Sequence, residues 1–220
     1  MRNGLYIVFE GVVGTGKTTQ SKLLVEDLKQ KYPNREIIWT REPGGSPIAE
    51  ATRVIVQGTT FPEPMEPMCE AYLYAAARAQ SLRAVVKPVL DRGGIVVSDR
   101  SFCTSVAFQG GGRAFKGGGI KIEVENVLRI NESAIEGFIP DLIIEIDLDP
   151  AIGLQRTYDG SGDKFESMPA EFFHRCIQGY RELSQDPRFS PIWKRVSGEG
   201  GVTDVRQRIQ EVIVDLISHQ

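Results

Sequence analysis

Short apolar runs alternate along this chain with longer stretches in which apolar residues recur every third or fourth position. Residues 5–9, 37–40, 95–98 and 142–148 are the runs, each a few residues long and rich in β-forming side chains. Such runs, interrupted only by Glu145 and Asp147 in the last, read as strands covered on both faces. Between them lie helical patterns. Residues 18–31 carry Leu23, Leu24 and Leu28, and residues 70–90 form one long alanine-rich helical stretch. Pro150 opens a helix after the fourth run, and Val205, Ile209, Val212, Ile213 and Leu216 mark a final amphipathic one. Strands alternating with helices predict a single three-layer α/β domain, with a mainly parallel sheet of about five strands flanked by helices. In such sheets ligands bind beyond the carboxyl ends of the strands.

Three stretches read as irregular: 58–67, with Gly58, Pro62, Pro64 and Pro67; 110–119, with six glycines; and 157–169, polar and glycine-containing. Long loops in a compact domain are often lids. The third carries the charges a lid needs, so a lid is expected over about 155–168.

Composition narrows the class. At 220 residues the chain can bury a core without disulfides. Cys69, Cys103 and Cys176 are odd in number, widely spaced and without a CxxC pair, and His174 and His219 are the only histidines. A disulfide framework or a His/Cys zinc site is therefore not expected. The net charge of −3 offers no basic face for nucleic acid. No apolar run approaches a membrane span, and the amino-terminal residues show no signal peptide, so a cytoplasmic protein is expected.

The candidate chemistry begins directly after the first run. Gly11-Val12-Val13-Gly14-Thr15-Gly16-Lys17-Thr18, followed by Thr19, has the spacing GxxxxGK[ST] between a predicted strand and a predicted helix. Glycines let backbone N–H groups close around phosphate, and the helix N-terminus faces the charge. Lys17 is expected to reach the β- and γ-phosphates, and the Thr18 hydroxyl to hold Mg²⁺. The sequence has neither the Asn-Lys-x-Asp guanine reader of switch GTPases nor the Leu-Ser-Gly-Gly-Gln signature of ABC-type ATPases.

Further candidates follow the other strands. Arg41 precedes Glu42-Pro43-Gly44-Gly45, a setting suited to gripping a second phosphate, or equally to a solvated ion pair on a turn. Asp99 can support the Mg²⁺ shell and Arg100 can pair with phosphate; a strand-end salt bridge is the simpler alternative. Tyr74 and Arg78 lie four apart on one helix face, where a ring to stack on and a donor would suit a flat heterocycle with a carbonyl edge. The same pair is also common on ordinary helix surfaces.

Taken in order, these motifs resemble the thymidylate kinase family over nearly the whole chain. The match runs from Phe9-Glu10-Gly11 through Lys17-Thr18-Thr19-Gln20 and Arg41-Glu42-Pro43-Gly44-Gly45-Ser46 to Tyr74-Ala75-Ala76-Ala77-Arg78-Ala79-Gln80. It continues through Asp99-Arg100, Ala107-Phe108-Gln109-Gly110 and Pro140-Asp141-Leu142. The resemblance implies transfer of the γ-phosphoryl group of ATP to dTMP with Mg²⁺, in nucleotide biosynthesis, by a homodimer with the 70–90 helix near its interface. It implies that Tyr74 stacks on thymine and that Arg78 donates to the carbonyl at base position 4. Arg41 and Arg100 would hold the acceptor phosphate, Phe108 would crowd the sugar, and Ser105 and Gln109 would lie near the base. Glu10, at the strand end, is counted with the acceptor-binding residues. Asp163-Lys164-Phe165-Glu166 is similar to the lid motif, and with no basic residue among Val12, Val13, Gly14 and Thr15 the lid must supply it. Arg156 and Lys164 are thus expected to join Lys17 and Arg100 in catalysis.

The chain departs from the family pattern at Val13, where a carboxylate is usual near the acceptor sugar, at Ser101 in place of a tyrosine, and in a lid with only two basic residues. Two other functions stay open on the sequence: a kinase for another (deoxy)nucleoside monophosphate, and a P-loop ATPase without a nucleotide acceptor.

Overall fold

The computed structural model describes residues 4–58, 61–113, 120–157, 165 and 168–217. Five strands form one parallel sheet in the order β2-β3-β1-β4-β5. β1 (Leu5–Glu10) leads through the glycine loop to α1 (Lys17–Lys31) and β2 (Ile37–Arg41). α2 (Pro47–Gln57) and α3 (Pro67–Ser81) follow, then a π-helical turn, Leu82–Val86, and α4 (Lys87–Asp91). β3 (Ile95–Asp99) leads to α5 (Phe102–Ser105), the π-helical segment Val106–Gly112 and α6 (Ile120–Ile135). β4 (Leu142–Asp147), α7 (Pro150–Thr157), α8 (Ala170–Gln185), β5 (Trp193–Ser197) and α9 (Val202–Ile217) complete the chain.

Successive strand residues point to opposite faces, and the core divides accordingly. Leu5, Ile7 and Phe9 pack with Ile95, Val97 and Ile144 beneath α1 and α9, through Leu24, Leu28, Val205 and Ile209. Tyr6, Val8, Val96 and Ile143 pack on the other face with Leu82, Val106, Val127, Phe172 and Tyr180 from the remaining layer. The register aligns Phe9 and Arg41 with Asp99, so the carboxyl ends of β1, β2 and β3 finish side by side.

The expected three-layer architecture is present, with the expected five strands, and two local readings are corrected. The 70–90 stretch is not one regular α-helix. Pro88 lacks the N–H for an α-helical bond to residue 84, and the chain widens into a π turn just before it. Gly110–Gly112, read as irregular, close the second π segment and are buried. A Cβ on Gly111 would lie 2.7 Å from the Arg175 carbonyl oxygen, and one on Gly112 would lie 2.6 Å from the Phe172 ring. These glycines therefore admit α8 at backbone contact rather than breaking a helix. The fifth strand, Trp193–Ser197, buries only Trp193 and Val196 of its five residues, so no apolar run announces where it lies.

Candidate active site

The glycine loop leaves β1 through left-handed backbone at Gly11 (φ 134°), Gly14 (φ 70°) and Gly16 (φ 88°). Gly16 caps α1, whose first turn holds no acidic residue, so its free N–H groups are left for an anion. Lys17 folds back into the loop, its Nζ donating to the Val12 carbonyl oxygen (2.5 Å) and to Thr15 Oγ1 (3.1 Å). Burial, helped by the nearby Arg100 charge, lowers its ammonium to about 7 against the pull of Asp99 and Glu10.

Thr18 donates its hydroxyl to Asp99 Oδ2, while Asp99 Oδ1 is buried with no partner among the described residues. Among the described residues no cluster of three or more His, Cys, Asp or Glu could hold a metal. A hydroxyl and a carboxylate with an unsatisfied oxygen fit Mg²⁺, which takes few protein ligands and keeps waters and phosphate oxygens. The residues present thus match that ion.

Two cavities meet at this point. A cleft of about 680 Å³ is lined by residues 13–20, Arg41, Asp99, Arg100, Arg156 and the 200–202 turn. Beside it a pocket of about 20 Å³ is lined by Tyr74, Arg78, Ser105, Phe108, Gln109 and Phe165. Val13, Glu42, Gln57 and Arg100 line both. Gly11 and Val12 face neither, and their carbonyls instead accept from Arg100 (3.3 Å) and Lys17. The smaller pocket cannot admit a pyrimidine without movement of its walls. Phe165, packed edge-on against Phe108 at 5.4 Å, is one of those walls.

The arginines are already oriented. Arg100 has φ 75°, a strained value for a residue with a side chain, and its backbone N–H donates to the Phe9 carbonyl (2.9 Å). Its guanidinium reaches Thr104 Oγ1 (3.1 Å) and lies 5.2 Å over the Phe108 ring. Arg41 is half-exposed and donates to both oxygens of Glu50 (3.4 and 2.9 Å). Arg78 is buried. Its Nε donates to Glu42 Oε2 (2.6 Å), one terminal nitrogen to Asn131 Oδ1, and the other to the Ser101 carbonyl and Ser105 Oγ (both 3.2 Å).

Glu10 lines neither cavity. Its oxygens accept from Ser101 Oγ (2.6 Å), Thr104 Oγ1 (2.6 Å) and the Tyr180 hydroxyl (3.1 Å). Burial still pushes its carboxyl above the usual range. Ser101, one of the departures from the family pattern, is thus a ligand of Glu10 as well as the cap of α5. Arg156, at the end of α7, donates to the Gly198 (3.2 Å) and Gly200 (3.5 Å) carbonyls at the edge of the cleft. Lys164, with Asp163 and Glu166, lies outside the described residues, as does most of the expected lid.

The sequence reading missed Glu42, Asn131, Thr104, Tyr180 and Gly153. Glu42 lay inside a quoted motif. Asn131 and Tyr180 sit within helices whose pattern shows only burial, so nothing local marked them. Gly153 of α7 crosses the glycine loop so closely that a Cβ there would lie 2.4 Å from the Val13 carbonyl oxygen.

Charge-bearing donors thus surround the junction of a triphosphate-sized cleft and a pocket walled by an aromatic ring and an arginine. That geometry suits transfer between two bound phosphates. Compared with known proteins, residues 9–209 match the family model described as Thymidylate kinase. The chain is 38% identical over 212 residues to the thymidylate kinase of Haemophilus ducreyi, covering 96% of this chain and 95% of that protein. It is 42% identical over 186 residues to that of Desulforudis audaxviator, covering 84% and 80%. In fold it is similar to the crystal structure of the Ehrlichia chaffeensis thymidylate kinase, with TM-score 0.74, 24% identity, and coverage of 96% of this chain and 98% of that one.

Proposed function

The chain belongs to the thymidylate kinase family, and on that premise we propose that it transfers the γ-phosphoryl group of ATP to dTMP, giving dTDP. The observation that carries this reading is the shared wall: Arg100 borders both the P-loop cleft and the aromatic pocket. A residue so placed can touch the acceptor phosphate and the migrating phosphoryl group at once.

The reaction asks little covalent chemistry of the protein. An acceptor phosphate oxygen attacks the γ-phosphorus in line as the bond to the β-phosphate oxygen breaks. Within the loop Gly11–Thr19, residues 13–19 cradle the donor while Gly11 and Val12 anchor the loop, and Lys17 turns from the Val12 carbonyl to the β- and γ-phosphates. Arg41 and Arg100 hold the acceptor phosphate, and Arg156 and Lys164 add positive charge from the lid at about 155–168. Mg²⁺, held by the Thr18 hydroxyl and Asp99, supplies neutralisation of phosphate charge when bound. Tyr74 offers the stacking face for thymine, Arg78 and Ser105 lie at its edge, Phe108 borders the sugar, and Gln109 completes the pocket. Glu10 supports this set from behind, through Ser101 and Thr104, rather than touching substrate.

Exposed apolar side chains on and between α2 and α3, Ile48, Val54, Phe61, Met68 and Tyr72, support assembly as a homodimer. Among the described residues no helix is long and apolar enough to cross a membrane, which accords with a cytoplasmic site of action. The test is ADP release with ATP and Mg²⁺ across dTMP, dUMP, dCMP, dGMP, UMP and no acceptor. Fast turnover favouring dTMP is expected. Acceptor-independent release, or preference for another base, would reject the thymidylate reading and leave a P-loop phosphohydrolase or a kinase of other specificity.

A further inference from the structure

Glu70, Tyr74 and Arg78 follow one another at intervals of four along α3, so they share a face. Tyr74 and Arg78 line the aromatic pocket, whereas Glu70 lines neither cavity and is fully buried. Its carboxylate receives Arg113, through Nε (3.4 Å) and a terminal nitrogen (2.8 Å), and Gln109 Nε2 at 2.8 Å. Gln109 does line the pocket, and its Oε1 is buried without a hydrogen-bond partner among the described residues. A native fold rarely leaves such an acceptor unsatisfied unless something else fills it.

We propose that Glu70 is a positioning residue for base selection, fixing the side-chain amide of Gln109 so that its carbonyl oxygen is the atom offered to the acceptor base. The inference rests on the dTMP reading above. A carboxylate ion-paired to an arginine can only accept hydrogen bonds, so Gln109 must turn its NH₂ toward Glu70 and its oxygen away. The pocket edge then presents donors at Arg78 and Ser105 beside an acceptor at Gln109. A thymine or uracil edge, a carbonyl next to an N–H, complements that pattern. Cytosine reverses both groups, setting donor against donor and acceptor against acceptor. Buried mismatches of this kind discriminate far more strongly than size does.

The test compares kcat/KM for dTMP and dCMP in the wild type, Glu70→Gln, Gln109→Leu, the double variant and Arg113→Lys. A glutamine at position 70 can accept or donate, so the Gln109 amide is free to turn over. Glu70→Gln should lower the dTMP-to-dCMP ratio by about tenfold or more, and Gln109→Leu should lower it too. The double variant should fall no further than Gln109→Leu. Arg113→Lys, which loses the two-nitrogen grip but keeps a cation beside the carboxylate, should retain most of the preference. An unchanged ratio in Glu70→Gln, an equal further fall in the Gln109→Leu background, or a loss in Arg113→Lys matching that of Glu70→Gln overturns the proposal and leaves Glu70 a structural ion pair. A wild type without preference for dTMP overturns the functional reading, and this inference with it. A wild-type measurement independent of variant folding is NMR of the Gln109 side-chain amide, identified by its loss in Gln109→Leu. Its hydrogens should stay slow to exchange and little shifted when dTMP binds; a large shift marking donation to the base overturns the proposal.

Discussion

Lys17 and Asp99 show how single residues are left with unmet demands that a ligand answers. Lys17 Nζ sits among backbone and hydroxyl oxygens, and burial lowers it to about 7. A bound triphosphate favours the charged ammonium, so binding raises that value. The sign follows from linkage. Below about 7 the free protein already carries the proton and Lys17 takes up none on binding. Above it, Lys17 is largely neutral until ATP arrives, so binding takes up a proton and affinity weakens as pH rises. Calorimetry of ATP–Mg²⁺ binding in buffers of different ionisation enthalpy should show uptake approaching one proton near pH ~8 and little near pH ~6. Lys17→Met should abolish the difference. The Asp99 Oδ1 atom, buried without a partner among the described residues, is the matching demand for a cation.

Among the elements, α7 carries the closest approach to the phosphate loop. Gly14 and Gly153 face one another so tightly that a Cβ on Gly14 would lie 1.8 Å from the Gly153 carbonyl oxygen. Gly153→Ala should therefore push α7 away from the loop, raising the KM for ATP several-fold and lowering stability by about 1–3 kcal/mol in denaturant unfolding. Undiminished ATP affinity would show that the loop does not depend on this crossing. Arg156 lies one turn further along the same helix. Arg156→Ala is expected to lower kcat by about tenfold or more while changing ATP affinity less, read from steady-state kinetics beside a binding titration. Equal losses in both would make Arg156 a binding residue. The π segment Val106–Gly112 is the second such device. Its glycines let α8 approach, and its wide turn sets Gln109 and Arg113 on the one face that meets Glu70.

At the scale of the whole molecule, the exposed apolar face of α2 and α3 is the least self-sufficient surface. Tyr72 is 58% exposed and Val54 63%. Replacing both with glutamate should convert a dimer to a monomer in light scattering without unfolding the chain; a wild type that is already monomeric would refute the assembly. The parallel sheet, the phosphate loop, and the acids and arginines at strand ends were legible in the sequence. Their signals are local: short runs dominated by apolar residues, a glycine spacing, a charge placed directly after a strand. A fifth strand was expected but its place was not legible, because an edge strand needs few apolar residues. Gly110–Gly112 was misread, because glycine breaks helices locally and only the nearness of α8 makes it necessary there. The amino-acid sequence by itself thus determined the fold class and the phosphate chemistry, which reside in neighbouring residues. Only the tertiary structure decided that Arg100 joins two cavities, that Ser101 and Tyr180 bind Glu10, and that Glu70 turns the amide of Gln109. Each of those pairings joins residues tens of positions or more apart, and packing alone brings them within hydrogen-bond reach.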